Sequence, residues 1–140
     1  MSLVLDSSAT LAWIYSDETT ECIREVFDAV ADHGAIVPSL WRLEVANSLT
    51  AALRRGRIDA GFRNAALADL AFLDIRVDPE TERQAWGPTL ELADRFRLTI
   101  YDAAYVELAS RRKIPLATLD AQMRAAGDAL GLQLLGGEGG

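Results

Sequence analysis

Cysteine and histidine, which serve many catalytic and metal sites, are almost absent from this chain. Its 140 residues include one cysteine, Cys22, and one histidine, His33. A single cysteine excludes an internal disulfide and fits a cytoplasmic protein. A zinc site or a cysteine–histidine nucleophile pair needs more partners than these two residues supply. The chemistry of this chain therefore has to rest on other side chains.

Long apolar runs and an excess of positive charge are missing as well. No run approaches the roughly 18 apolar residues of a membrane span. The N-terminal segment lacks the basic stretch and long apolar region of a secretory signal. The net charge is −7 and the isoelectric point is about 4.6. Such a chain repels nucleic acid at long range, so a nucleic-acid partner would need a local basic patch or bound cations.

What the sequence does have is a series of short apolar runs between helical stretches. These runs predict strands over 3–5, 35–37, 75–77 and 116–118, with a fifth edge strand over 132–135. Strands that alternate with helices indicate an α/β domain, with a parallel sheet of four to five strands and helices on both faces.

Local signals predict where the helices begin and end. Ser7 and Ser8 are expected to cap the first helix, and Ser39 the helix that runs from Leu40 to Arg55. Gly87-Pro88 is expected to interrupt the helical stretch that ends near Phe96. No linker or repeat is visible, so residues 1–135 are predicted to form one domain. The glycine-rich tail, 136–140, is predicted to be disordered.

Four acidic residues stand where predicted strands end or predicted helices begin: Asp6, Glu44, Asp102 and Asp120. Asp6 and Asp120 follow strands, and parallel strands deliver their last residues to one edge of the sheet. Asp102 begins a helix at that edge, and Glu44 lies within about two helical turns of it, at roughly 1.5 Å per residue. The topology therefore directs all four acids to one rim.

Gathering carboxylates in this way has an electrostatic cost. Two like charges about 4 Å apart repel by roughly 4 kcal/mol at an effective dielectric near 20. A hard divalent cation removes this repulsion, and Mg²⁺ and Mn²⁺ prefer oxygen ligands. Such a site can activate water and stabilise the charge of a phosphodiester displacement. Taken singly, each acid is also explained as a turn, cap or solvent-facing residue, so the prediction rests on the four together.

Four segments of the chain resemble the PIN domain family, and within it the VapC-type toxins. The segments are Leu3-Val4-Leu5-Asp6-Ser7-Ser8, Pro38-Ser39-Leu40-Trp41-Arg42-Leu43-Glu44-Val45-Ala46-Asn47, Leu98-Thr99-Ile100-Tyr101-Asp102-Ala103-Ala104-Tyr105 and Leu116-Ala117-Thr118-Leu119-Asp120. Each motif is weak alone, whereas all four in order and at fitting distances are specific. The resemblance covers nearly the whole chain.

The resemblance implies a three-layer PIN-like domain with the sheet order 3-2-1-4-5. It implies a Mg²⁺- or Mn²⁺-dependent endoribonuclease that is the toxin of a toxin–antitoxin pair. Such a protein would be a homodimer with a small antitoxin as its partner. By the same resemblance, the four acids match the family's catalytic and metal-binding tetrad. Ser8, Thr118 and Asn47 match small polar positions that support the acids through hydrogen bonds.

Arginines supply the candidate contacts to an RNA backbone. Arg95 and Arg97 are favoured because the chain approaches the acidic rim there. Arg111, Arg112 and Lys113 are expected instead to end a helix at the opposite edge of the sheet, where cations favour the helix dipole.

Two other functions compete with the nuclease. A receiver or phosphatase that forms an aspartyl-phosphate also places an aspartate after its first strand. A dehalogenase-type phosphatase would want a second aspartate at position 8, which is Ser8, and a receiver would want a lysine after a late strand, whereas Lys113 precedes its strand. The other alternative is a non-catalytic interaction module with the same fold, against which the intact set of acids argues.

Overall fold

The computed structural model describes residues 2–137 and contains a five-stranded parallel sheet. The strands are β1 Leu3–Leu5, β2 Ala35–Val37, β3 Ile75–Val77, β4 Leu116–Ala117 and β5 Leu134–Leu135. Their order across the sheet is β3-β2-β1-β4-β5, and every neighbouring pair is parallel. The predicted α/β class is confirmed, together with the sheet order that the family resemblance implied.

Helices connect the strands. In the described part of the chain they are α1 Ser7–Ile14, α2 Glu21–His33, α3 Trp41–Arg54, α4 Ala60–Ala71, α5 Thr81–Gln84, α6 Pro88–Phe96, α7 Ile100–Arg112 and α8 Ala121–Ala129. The predicted interruption at Gly87-Pro88 separates α5 from α6, because proline is tolerated only in the first turn of a helix. None of the helices within 2–137 is long and apolar enough to cross a membrane.

Two predicted helix caps are wrong. Asp6, not Ser7 or Ser8, is the N-cap of α1, since its carboxylate accepts a hydrogen bond from the Ala9 amide. Ser39 does not cap α3, whose N-cap position is Leu40 and has no side-chain hydrogen bond. An aspartate that ends a strand already lies one residue before the helix, so it takes the capping position before the serines can.

The core is formed by the two faces of the sheet and the helices that cover them. β1 is fully buried, and α7 packs across β1 and β4. α6 and α8 pack in turn against α7, while α1 packs against α2 and α3. The packing of α1 and α7 beside the central strands therefore helps to fix where the starts of these two helices lie.

Of the glycine-rich tail predicted over 136–140, the structure describes residues 136 and 137. Gly136 lies against α2, since a Cβ atom placed on it would be 3.5 Å from the side chain of Ile23. The rest of the predicted disordered segment, residues 138–140, lies outside the described residues.

Candidate active site

The four predicted acids lie at the carboxyl edge of the sheet. Asp6 follows β1, and Asp120 is the N-cap of α8 after β4. Glu44 and Asp102 lie in the first turns of α3 and α7. The structure thus places strand ends and helix starts from four distant segments at one rim, as the topology predicted.

Asp102 is the acid that links the other three. Burial is the largest cause of the raised pKa of Asp102, and the charge of Asp120 raises it further. The charge of Asp102 in turn adds to the effect of burial in raising the pKa of Glu44 and that of Asp6. These mutual effects are those of like charges held near one another.

None of these acids is neutralised by a described basic side chain. The ion pairs within residues 2–137 involve other acids throughout. The rim therefore concentrates negative charge without an internal counterion, and this repulsion raises the free energy of the metal-free fold. Such an arrangement is typical of functional sites rather than of structural ion pairs.

Asp6 is the most firmly held of the four. Its side chain is 3% exposed, and burial raises its pKa to about 6 despite its hydrogen bonds. Ser8 donates to both carboxylate oxygens at 2.8 and 2.9 Å, the Ala9 amide donates to Oδ1 at 2.8 Å, and Thr118 donates to Oδ2 at 2.5 Å. A carboxylate has about four acceptor sites. A metal ion that Asp6 bound directly would therefore have to displace the hydrogen bond that Ser8 donates to the two carboxylate oxygens.

The hydroxyls of Ser8 and Thr118 also join the two loops that carry aspartates. Ser8 Oγ accepts a hydrogen bond from the Leu119 amide at 3.0 Å, and Thr118 Oγ1 accepts one from the Asp120 amide at 3.0 Å. Each hydroxyl thus donates to Asp6 and accepts from the loop that leads to Asp120. The family resemblance implied that Ser8 and Thr118 hold the acids through hydrogen bonds, and both side chains contact Asp6 directly.

Glu44 is held by a residue to which the sequence analysis gave no role. Its Oε1 accepts a hydrogen bond of 2.5 Å from the hydroxyl of Tyr105, which lies on α7 one turn beyond Asp102. The sequence did carry a signal for this contact. Tyr105 stands in the run Ala103-Ala104-Tyr105-Val106, where a buried hydroxyl needs a partner.

The remaining predicted residues are more peripheral. Asn47 is exposed and forms no side-chain hydrogen bond with a described residue, so the structure shows no support from Asn47 to an acid. Arg95 and Arg97 are both exposed. The Arg95 guanidinium lies 4.8 Å from the centre of the Phe96 ring, and Arg97 is the C-cap of α6, just before α7 begins at the rim.

The chemistry of the four acids suits a hard divalent cation. The rim offers carboxylate oxygens and, among the described residues, no cysteine or histidine as an ion ligand, which fits Mg²⁺ or Mn²⁺. In the part of the chain that the structure describes, no three acidic, histidine or cysteine side chains already converge as ligands. Because Mg²⁺ keeps several waters and needs only one or two direct carboxylates, the arrangement still fits it.

Solved structures with the same fold come from several organisms. PAE2754 from Pyrobaculum aerophilum is 22% identical, with a TM-score of 0.70 over 96% of this chain and 83% of its own. Mycobacterium tuberculosis VapC20, described as a sarcin–ricin loop cleaving toxin, is 19% identical, with a TM-score of 0.62 over 89% and 95%. VapBC2 from Rickettsia felis, bound to a DNA fragment from its promoter, is 14% identical, with a TM-score of 0.64 over 96% and 97%. At these identities the likeness concerns the fold.

The family itself is shown by the sequence. The model of the PIN domain matches residues 3–129, which include all four acids. The chain therefore belongs to the PIN domain family. No curated protein sequence matches it.

Proposed function

We propose that this protein is a divalent-metal-dependent endoribonuclease that acts as the toxin of a toxin–antitoxin pair. It hydrolyses RNA phosphodiester bonds at the site formed by Asp6, Glu44, Asp102 and Asp120. The observation that carries the proposal is the unneutralised acidic rim, where three of the four acids have a raised pKa. Membership of the PIN family and a fold shared with VapC20 support the same activity.

The four acids would hold a Mg²⁺ or Mn²⁺ ion, some of them directly and the others through water. The ion would supply stabilisation of the negative charge that develops on the phosphate and activation of the attacking water. The chain contributes the positions of the acids. Asp6 is fixed by three neighbouring donors, whereas Asp102, in the first turn of α7, contacts the side chain of Thr99. The positive end of the α7 dipole favours the charged form of Asp102.

RNA has to approach a protein that carries a net charge of −7. Arg95 and Arg97 are proposed to contact its phosphates, because both are exposed beside the start of α7 and belong to no ion pair within residues 2–137. Binding should therefore depend on divalent ions beyond simple screening of charge.

A protein partner is proposed from the apolar residues that flank the acids. Leu43 is 75% exposed beside Glu44, and Tyr101 is 63% exposed beside Asp102. Contiguous exposed apolar patches mark interaction surfaces, and Leu43 and Tyr101 are proposed to belong to one. A small antitoxin that covers this surface and a homodimeric toxin are the assembly that the family membership suggests.

Cleavage of total bacterial RNA by the purified protein tests the activity. Parallel reactions should contain Mn²⁺, Mg²⁺ or EDTA, and sequencing of the new RNA ends would give the target. We expect cleavage with either metal, none in EDTA, and none by Glu44→Gln. Glu25→Gln is the matched control, because it removes the same charge from an exposed position on α2.

Equal cleavage in EDTA, or a Glu44→Gln protein that cuts at the parent rate, would overturn the proposal. A non-catalytic PIN module is the second candidate, and it draws support from the lack of a preassembled trio of ligands within residues 2–137. A titration with Mn²⁺ separates the two, since a module without a metal site would show no increase in its melting temperature.

A further inference from the structure

A single hydrogen bond connects the helices that carry Glu44 and Asp102. Tyr105 donates it from α7 to Glu44 Oε1 on α3, across 61 positions of sequence. The Ser7 side chain also lies near both groups and lowers the pKa of Glu44 and that of Tyr105. The Tyr105 hydroxyl, at 2.5 Å, is therefore the contact from α7 that fixes one oxygen of the carboxylate.

The packing around Tyr105 does not require its hydroxyl. The residue is 1% exposed and is among the largest fully buried side chains of the protein. Phenylalanine would fill the same space, and burying a hydroxyl costs free energy unless it finds a partner. The tyrosine is therefore explained by what its hydroxyl does at Glu44. The bond also matters to the tyrosine, because burial, followed by the contact with Glu44, raises the pKa of Tyr105.

We propose that Tyr105 is a positioning residue that holds the Glu44 carboxylate in the orientation from which, together with Asp102, it would bind a divalent metal ion. The inference rests on the proposed metal site and adds to it a residue outside the acidic tetrad. Without the hydroxyl, Glu44 keeps its charge but has to be ordered when the ion binds. The loss should therefore appear as weaker binding of the metal rather than as slower chemistry.

Tyr105→Phe tests the role, and Tyr15→Phe provides the matched control. Tyr15 is also buried, at 8% exposure, but it stacks on Phe62 away from the acids. We expect the dissociation constant for Mn²⁺, measured by titration calorimetry, to rise about tenfold in Tyr105→Phe, as loss of one hydrogen bond to a charged group predicts. The Mn²⁺ concentration for half-maximal RNA cleavage should rise in parallel, with kcat at saturating Mn²⁺ within about threefold of the parent. Tyr15→Phe should change neither quantity.

A double-mutant cycle distinguishes positioning from a general structural effect. If Tyr105 acts through Glu44, Tyr105→Phe should leave Mn²⁺ affinity unchanged in a Glu44→Ala background, where no side-chain oxygen at position 44 remains to accept its hydrogen bond. A tenfold loss that persists in that background, or an unchanged affinity in the single variant, would overturn the inference. If Tyr105→Phe does not fold, NMR offers a second test. The chemical shift of the Tyr105 ring carbons should differ between the parent and Glu44→Gln, because the hydroxyl of Tyr105 binds the Glu44 carboxylate in the parent. An identical signal in the two proteins would equally overturn it.

The parent protein separates this inference from the proposed function. A parent that neither binds Mn²⁺ nor cleaves RNA refutes the metal site itself. A parent that does both, with a Tyr105→Phe variant of equal affinity, refutes only the role of Tyr105.

Discussion

Two groups of acids in this protein differ in whether arginine accompanies them. At the rim, Asp6, Glu44 and Asp102 have a raised pKa and no basic partner among the described residues. In the second group, Asp78 and Glu107 are 1% and 5% exposed and both contact Arg111.

The second group shows what a structural cluster of acids looks like in this fold. Arg111 donates to Asp78 at 2.6 Å and to Glu107 at 2.9 and 3.1 Å. Burial alone would raise the pKa of Asp78, but the hydrogen bonds from Arg111 and the Glu80 amide bring it below its ordinary value. Arg111 was expected near the end of a helix, and it lies in the last turn of α7, where it pairs with Glu107 of α7 and with Asp78 after β3. The rim has no such counterion, which is why a metal ion is proposed there.

The largest effect on RNA cleavage is expected from Asp102→Asn, which removes the charge that interacts with each of the other three rim acids. Cleavage should fall by about a thousandfold or more, an amount typical for loss of a group that stabilises charge in the transition state. The melting temperature of the metal-free protein should rise by about 3 °C per kcal/mol of repulsion relieved. Rates in Mn²⁺ and thermal melts in EDTA measure the two changes. A variant that loses stability in EDTA would contradict the repulsion that defines the rim.

Arg111→Met should lower the stability of the protein and leave its cleavage activity unchanged, the reverse of the pattern expected for Asp102→Asn. It leaves Asp78 and Glu107 buried and unpaired, and we expect a loss of about 3 kcal/mol in the free energy of unfolding, measured with urea. The temperature should be chosen so that the variant remains folded, and cleavage per folded molecule should then be unchanged. Arg76→Met is the control, because the pair of Arg76 with Asp74 is exposed and should contribute less than about 0.5 kcal/mol.

The stability of the metal-free protein should rise as the pH falls from 7 to 5. The pKa of Asp6 is about 6 in the folded protein and near 3.8 in the unfolded chain, so the folded state binds more protons over this interval. The linkage relation then gives about 1 kcal/mol of added stability at pH 5 from Asp6. Glu44 and Asp102, whose pKa values are also raised, act in the same direction. Urea titrations of the parent and of Asp6→Asn should show a smaller gain in the variant, and an equal gain would contradict the assignment to Asp6.

The smallest effect is expected from removing Arg97, an arginine that is proposed to contact RNA and that forms no ion pair with a described acid. Arg97→Gln should weaken RNA binding a few-fold and lower the salt slope of the binding constant by about one, as loss of one phosphate contact predicts. The inactive Glu44→Gln protein allows binding to be measured without cleavage. Arg76→Gln, on β3, is the control for loss of charge, and an equal change there would mean that Arg97 has no specific contact.

The sequence predicted the parts of this protein that local patterns determine. Strand ends, helix starts and the acids that follow them are set by short apolar runs, so the position of the rim could be predicted before any coordinates. The contacts between Asp6 and Thr118 and between Glu44 and Tyr105 join residues 112 and 61 positions apart. No periodicity encodes such pairs. The cap of α1 was assigned to Ser7 and Ser8 instead of Asp6 because aspartate and serine are similarly good N-caps, so local sequence does not choose between adjacent candidates.

Asp6 has a structural role in addition to its proposed catalytic one. It caps α1 and accepts hydrogen bonds from Ser8 and Thr118, which connect the end of β1 to the end of β4. Glu44 and Asp102 have fewer such ties. A lineage that abandons catalysis while keeping the protein as a binding partner would therefore lose Asp102 or Glu44 first and retain Asp6 longest. Among degenerate descendants, a surviving aspartate after the first strand is accordingly poor evidence of an active enzyme.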